Sequence, residues 1–214
     1  MNVLTDNWDL FRTGFLNTLK LLALSGVLSL VIGTLLAAMR VSPVPAMRAV
    51  GASYVNVFRN TPLTLVFFFA VFGLPAFGVE LSFFARAVIA LTTYTSAFIC
   101  EAVRSGINTV PLGQAEAARA IGMGFGQTLR YVVLPQAIRT VVPPIASVVI
   151  ALAKNTTVAA GFSILEAGAI IPNLSERDEP VVIGLIWIVA GFLLIVLPLA
   201  AVQRRLEHSW AVSR

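Results

Sequence analysis

Residues Gly106–Arg139 read GINTVPLGQAEAARAIGMGFGQTLRYVVLPQAIR, the longest polar interruption in an otherwise apolar chain. Gln114, Glu116, Arg119, Gln127, Arg130, Gln136 and Arg139 stand there among glycines and alanines. Charges at mid-membrane depth are expensive, so a polar stretch of this length belongs outside the hydrocarbon or in water-accessible protein. Pro111 suits a first helical turn and Gly122 a helix end, so Leu112–Ile121 reads as a helix. A second helical run, Phe125–Val133, reaches Pro135. The two make a rigid elbow joined by Gly-Met-Gly.

What flanks this elbow fixes the class. The 214-residue chain is 58% hydrophobic and 12% charged. A soluble domain carries roughly 25% charge, so these proportions describe a polytopic membrane protein. Leu21–Met39, Asn60–Val79 and Pro180–Gln203 hold no charged side chain, and about 20 residues span the hydrocarbon as a helix. We expect one all-α membrane domain, residues 1–214, with five spans near Thr13–Met39, Ser53–Phe77, Leu81–Arg104, Thr140–Val158 and Val181–Val202. Arg40–Gly51, with Pro43 and Pro45, reads as a loop. Gly161–Glu179 reads as a mixed loop with an acidic end.

Arginines in short loops mark the cytoplasmic face. Five spans put the termini on opposite sides. With the N-terminus outside, Arg40, Arg48, Arg104, Arg119, Arg130, Arg139, Arg204 and Arg205 all fall on the cytoplasmic side. Asp6, Asp9, Glu80, Glu166, Glu176, Asp178 and Glu179 then fall outside. The elbow is therefore expected in the cytoplasm of a multi-pass protein of the plasma (inner) membrane. No basic cluster alternates with aromatics, which argues against a nucleic-acid partner.

Catalytic signatures are missing. The chain has one histidine, His208, and one cysteine, Cys100. It has no HExxH, no CxxC and no glycine-rich loop ending in Gly-Lys-Ser/Thr, since Lys20 follows Leu19 and Lys154 follows Ala153. We expect no enzyme activity, no metal site and no cofactor of its own. By composition the elbow fits two roles equally: lying on headgroups with its arginines on membrane lipid, or docking into a partner.

The elbow resembles the EAA loop of ABC importer permeases. Glu116-Ala117-Ala118 is followed after three residues by Gly122, and nine residues later by Val132, Val133, Leu134 and Pro135. Val132 replaces the usual isoleucine, a change within the aliphatic class. Asn17-Thr18-Leu19, Arg59-Asn60-Thr61-Pro62-Leu63, Arg104-Ser105-Gly106-Ile107 and Lys154-Asn155-Thr156-Thr157 resemble blocks of the polar amino acid (His/Glu/Gln/Arg/opine) permeases. The stretches RVSPV, RNTPLTLV, SGINTV and GQAEAAR are most similar to permeases of actinobacterial-type glutamate uptake systems.

The resemblance implies a type I ABC importer permease fold. Such a chain pairs with a second permease subunit, a paralogue or a copy, and with two ATPase subunits that bind ATP and Mg. An extracytoplasmic amino acid binding protein delivers the cargo. It implies coupling to the ATPase through Gln114, Glu116, Ala117, Ala118, Gly122, Leu134 and Pro135, with the alanine face Ala115, Ala117, Ala118 and Ala120 entering a groove. ATPase-independent secondary carriers or channels, and lipid-binding scaffolds, are the other classes; both leave the EAA spacing unexplained.

Polar residues at membrane depth are costly and mark pathways. We expect the substrate path along Arg59, Asn60 and Thr61 in the second span and Lys154, Asn155 and Thr156 at the end of the fourth. The alternatives are an interfacial anchor for Arg59 and a snorkelling side chain for Lys154. Asn155 stands where the family places an acid beside this lysine. Cations without a countercharge would favour glutamate, then glutamine, over a cationic amino acid. Glu101 and Arg104, three residues apart, are expected to pair as a structural contact.

Overall fold

The structure is a computed structural model and describes residues 3–210. After a single turn, Val3–Asp6, the chain enters α1, Trp8–Val41. No proline interrupts α1 and apolar residues surround it, the composition of a helix that meets lipid or protein on every side. Its 34 residues reach about 50 Å at 1.5 Å per residue, more than the hydrocarbon needs. The stop comes at Ser42-Pro43, where Ser42 turns extended ahead of the proline.

The expected loop Arg40–Gly51 shrinks to Ser42–Val44. Pro45 opens α2, Pro45–Asn60, at a first-turn position where its missing N–H costs nothing. The expected span Ser53–Phe77 is a bent one. α2 ends at Asn60, and α3, Leu63–Phe68, leaves it at 107°. Pro62 forces Thr61 extended (φ −98°, ψ 132°) and cannot donate a backbone hydrogen bond. A wider π turn, Phe69–Gly73, and the short helical piece Leu74–Ala76 carry α3 onward.

α4, Phe83–Asn108, begins with the Ser82 hydroxyl accepting from Ala85 N–H at 3.2 Å. It runs past the expected end at Arg104 and takes in Gly106–Asn108, the first residues of the polar stretch. α5, Leu112–Ala120, and α6, Phe125–Thr128, form the elbow itself. A π turn, Leu129–Val133, then joins α6 to α7, Leu134–Asn155. The expected separation between the elbow and a span starting at Thr140 is therefore absent. One helical run from Phe125 to Phe162 is long and apolar enough to cross a membrane. Pro143 and Pro144 sit inside α7 instead of starting it, a placement membrane helices tolerate when neighbours re-satisfy the freed groups.

Thr156–Phe162 tightens to a 3₁₀ helix, and Ser163 follows in the left-handed region (φ 60°). The expected mixed loop holds a 3₁₀ turn, Ala167–Ala169, and α8, Ile170–Glu176. α9, Val181–Trp210, closes the described chain and carries Arg204 and Arg205 on the helix. The described residues thus hold four membrane-length helices, or five spans with the bent α2–α3 pair taken as one.

Packing centres on α1 against α4, with α7 behind them. At Gly33 of α1 an added Cβ would lie 2.6 Å from Ile99 and 2.9 Å from the Ser96 carbonyl, so only glycine lets the two backbones approach this closely. Leu21, Phe67, Leu91 and Leu152 make the main apolar core, and Phe162 stacks on Phe67 at 5.1 Å. A second cluster, Val3, Phe11, Ile170, Leu174 and Ile188, lies where α8 meets the ends of α1 and α9. α9 has the highest mean hydropathy of the spans, 2.8, and leaves nearly all of it uncovered.

Candidate functional site: an exposed elbow and a polar seam between α4 and α7

At the elbow, α5 ends as its sequence predicts. Gly122 is left-handed (φ 88°), its N–H donating to the Arg119 carbonyl at 2.9 Å while Met123 N–H reaches Ala118 at 3.1 Å. That geometry strains any residue with a Cβ. The alanine face does not behave as one unit. Ala118 is buried and Ala115 half-buried, the latter in a cavity of about 360 Å³ with Ile107, Val110, Pro111 and Val133. Ala117 and Ala120 point out with Gln114 and Glu116. Helical spacing explains the split, because residues 115 and 118 share one face and residues 112, 116 and 120 another. Leu112, Ile121 and Phe125 are 81%, 80% and 71% exposed, so the outward face is apolar around a single carboxylate.

Leu134 and Pro135 lie exposed at the start of α7. Gln127 braces the elbow, its Oε1 accepting from Gly124 N–H at 3.0 Å. Thr109 and Thr140 hydroxyls both donate to the Gly106 carbonyl, at 2.6 and 3.2 Å, tying the end of α4 to α7.

The residues expected to line the substrate path separate. Lys154, Asn155 and Thr156 follow one another around the helix and face three directions. Thr156 is buried and donates to the Ala153 carbonyl at 2.9 Å. Lys154 borders an apolar groove with Ile188, Val189, Phe192 and Val196 of α9. Asn155 alone enters a cavity of about 260 Å³ between α4 and α7, lined also by Tyr94, Thr95, Phe98, Val148 and Ala151. At the break before α3, Asn60 Nδ2 donates to the Asn56 carbonyl (2.7 Å) and the Thr61 hydroxyl to Val57 (2.8 Å). Both side chains bond carbonyls of the last turns of α2 and are thereby held against their own helix.

Arg59 has a countercharge, contrary to expectation. Its Nη1 lies 3.8 Å from Glu101 Oε2, and its guanidinium sits 5.5 Å over the Phe98 ring. Glu101 holds two further guanidiniums: Arg104, the expected partner, with Nε at 3.1 Å, and Arg40 at the end of α1. The Arg104 pair follows from i,i+3 spacing; Arg40, 61 positions away, left no local signal.

Glu166 escaped the sequence reading. Placed in a solvated outer loop, it is fully buried. Its Oε2 accepts from the Thr18 hydroxyl at 3.2 Å, and Thr18 in turn accepts from Ala167 N–H at 3.0 Å. Asn17 Nδ2 donates to the Leu165 carbonyl at 2.7 Å. Burial pushes the Glu166 carboxyl above the ordinary range, against the pull of its hydrogen bonds. The available signal was the polar pair Asn17-Thr18 inside an apolar span, which needed a polar partner from elsewhere.

No side chain here is arranged for bond-breaking. Cys100 is buried and His208 is exposed on α9. Among the described residues no group of three His, Cys, Asp or Glu is placed to hold a metal.

Known proteins share this architecture. The chain is 40% identical over 210 residues to the glutamate transport system permease protein GluC of Corynebacterium efficiens, covering 92% of each. It is 36% identical over 219 residues to the probable glutamine ABC transporter permease protein GlnM of Bacillus subtilis, covering 98% of this chain and 99% of that one. A crystal structure of an amino acid ABC transporter with histidines superposes with a TM-score of 0.89 at 28% identity, over 96% of both chains. The family model for the binding-protein-dependent transport system inner membrane component matches residues 29–211. The family match over most of the chain, the proline-broken second span and an EAA elbow joined to a membrane helix place this chain in that family, as the permease component of an ABC importer with the type I fold.

Proposed function

We propose that the chain passes a polar amino acid across the membrane, glutamate first and glutamine next. The amino acid is handed over by an extracytoplasmic binding protein, and the step is driven by ATP and Mg held in two separate ATPase subunits. The observation that carries this reading is the similarity to glutamate and glutamine permeases over nearly the whole chain. Residues 1–214 act as one domain, paired with a second permease subunit that is either a copy or a paralogue. The N-terminus lies outside, and the elbow and C-terminus lie in the cytoplasm. The distribution of arginines supports that orientation.

Coupling runs through the outward face of α5. Gln114, Glu116 and Ala117 meet the ATPase, Ala118 and Gly122 hold the shape of the elbow, and Leu134 and Pro135 start the helix that receives the motion. The cargo passes the cavity holding Asn155, with Arg59 over its Phe98 wall, while Asn60 and Thr61 shape the break beside Arg59, and Lys154 and Thr156 shape the helix end around Asn155. An uncharged amide at Asn155 and an excess of guanidinium near the cavity support an acidic or neutral amino acid over a cationic one. Reconstitution with the cognate ATPase and binding protein, measuring ATP-driven uptake across a panel of amino acids, tests the reading. Glutamate uptake that requires ATP is the expected result; strong competition by arginine with none by glutamate would refute it.

A further inference from the structure

Three guanidiniums surround one carboxylate at Glu101, and they are not equivalent. Arg40 and Arg104 both hydrogen-bond to it. Arg59 makes no hydrogen bond to it, its nearest nitrogen lying 3.8 Å from Oε2, and its side chain is the most open of the three at 43% against 17% and 30%. One carboxylate cannot neutralise three cations. The cluster keeps two positive charges unbalanced at the edge of an apolar bundle, where an unpaired charge is costly. Such a surplus of positive charge favours a further anion.

The position of that surplus is informative. Tyr94, Thr95, Phe98 and Glu101 follow one another at spacings of one, three and three residues along α4, so they form a single stripe on its surface. The first three line the cavity that holds Asn155. Phe98 is also the ring beneath the Arg59 guanidinium. The loosely held guanidinium therefore stands at the rim of the cavity, one helical turn from its polar wall, with the ring as the shared floor.

Resting on the amino-acid cargo reading, we propose that Arg59 receives a carboxylate of the cargo as it leaves the cavity. Glu101 is the resident carboxylate that occupies the guanidinium when cargo is absent. Arg59 can exchange one for the other because it lies beyond hydrogen-bond distance of Glu101, whereas Arg40 and Arg104 stay bound and hold Glu101 in place. Arg59 is a specificity-determining residue in this scheme and Glu101 a positioning residue. An amino acid brings two possible sources of that carboxylate, its α-carboxylate and, in glutamate, its side chain.

The test measures binding of radiolabelled glutamate and glutamine to the detergent-purified permease–ATPase complex without binding protein. Arg59→Gln is expected to weaken binding by about tenfold or more, the scale of a lost charge-assisted hydrogen bond. Arg48→Gln, which removes a guanidinium of the same helix that lies outside the cluster and bonds the Ser42 and Pro43 carbonyls, leaves affinity within about twofold of wild type. A loss confined to glutamate assigns the side-chain carboxylate; an equal loss for both assigns the α-carboxylate. Unchanged binding in Arg59→Gln, or an equal loss in Arg48→Gln, overturns the proposal. Should Arg59→Gln fail to insert, Arg59→Lys carries the test. It keeps the charge beside Glu101 but loses the planar fork, so binding weakens about threefold, and unchanged binding again overturns it. A wild-type complex that imports glutamate yet binds none of it in this assay overturns the Arg59 assignment while the cargo reading stands. A complex that neither binds nor imports it overturns both.

Discussion

Two acids sit at opposite ends of this bundle and are handled in opposite ways. Glu101 is surrounded by Arg40, Arg59 and Arg104. Glu166 is more deeply buried and meets a hydroxyl and backbone amides, with no cation within salt-bridge distance among the described residues. The first environment holds an ionised carboxylate as a hub that ties α1, α2 and α4 together. The second penalises ionisation and treats the carboxyl as a polar plug between α1 and the segment before α8. The same side chain serves once as a charge and once as a hydrogen-bonding shape, and only its neighbours decide which.

Removing Glu101 should do the most damage. Glu101→Ala leaves three neighbouring guanidiniums without a counterion, and we expect a loss of about 3 kcal/mol or more, read as a fall in detergent-stable protein and in the denaturation midpoint. A stability within error of wild type would show that solvent screens the cluster. Thr18→Val comes next. It strips one hydrogen bond from Glu166 and one acceptor from Ala167 N–H, for an expected cost of about 2 kcal/mol, measured by the same midpoint.

Glu166→Gln should act in the other direction and depend on pH. A carboxyl whose folded pKa lies above its unfolded value binds its proton more tightly in the native state. The stability it contributes is complete below the unfolded pKa and is lost as pH rises through the folded one. Wild-type stability should therefore decline as pH rises out of the ordinary carboxylate range. The glutamine variant should lack that decline and be the more stable of the two at neutral pH. A wild-type profile as flat as that of the variant would break the contrast between the two acids.

The smallest effect on stability belongs to a third acid. Glu116 is exposed on α5, and Glu116→Lys should change the midpoint by less than about 0.5 kcal/mol. Uptake by the reconstituted complex should nevertheless fall to background. Normal uptake by the lysine variant would remove Glu116 from the coupling surface.

How much was legible follows the range of each interaction. Spans are written in local hydropathy and were found, with helix ends moved outward. The Arg104–Glu101 pair and the left-handed Gly122 are also local, and both were readable. The 107° turn was not, although Pro62 announced a break, because the apolar run continues past it and hydropathy carries no angle. The expected start of the fourth span near Thr140 was also too late, because α7 runs on through Pro143 and Pro144 and joins the elbow without a break. Arg40 and Thr18 each find their acid through the packing of α1, and no spacing rule reaches across 61 or 148 residues. The alanines of the elbow were legible as a set, but their division between inside and outside depended on a cavity beneath α5.

The unbroken run from the elbow through α7 has a mechanical side. From Leu129 to Asn155 it is roughly 40 Å long at the rise of an α-helix. A rod of that length turns a tilt of about 5° at one end into a displacement of roughly 3 Å at the other, comparable to the reach of a hydrogen bond. Asn155 lies at the far tip, inside the cavity. A small rocking of the elbow would thus be geared up into the making or breaking of one polar contact on the other side of the bundle, with the π turn Leu129–Val133 and the Pro143-Pro144 pair as the points along the run that can absorb it.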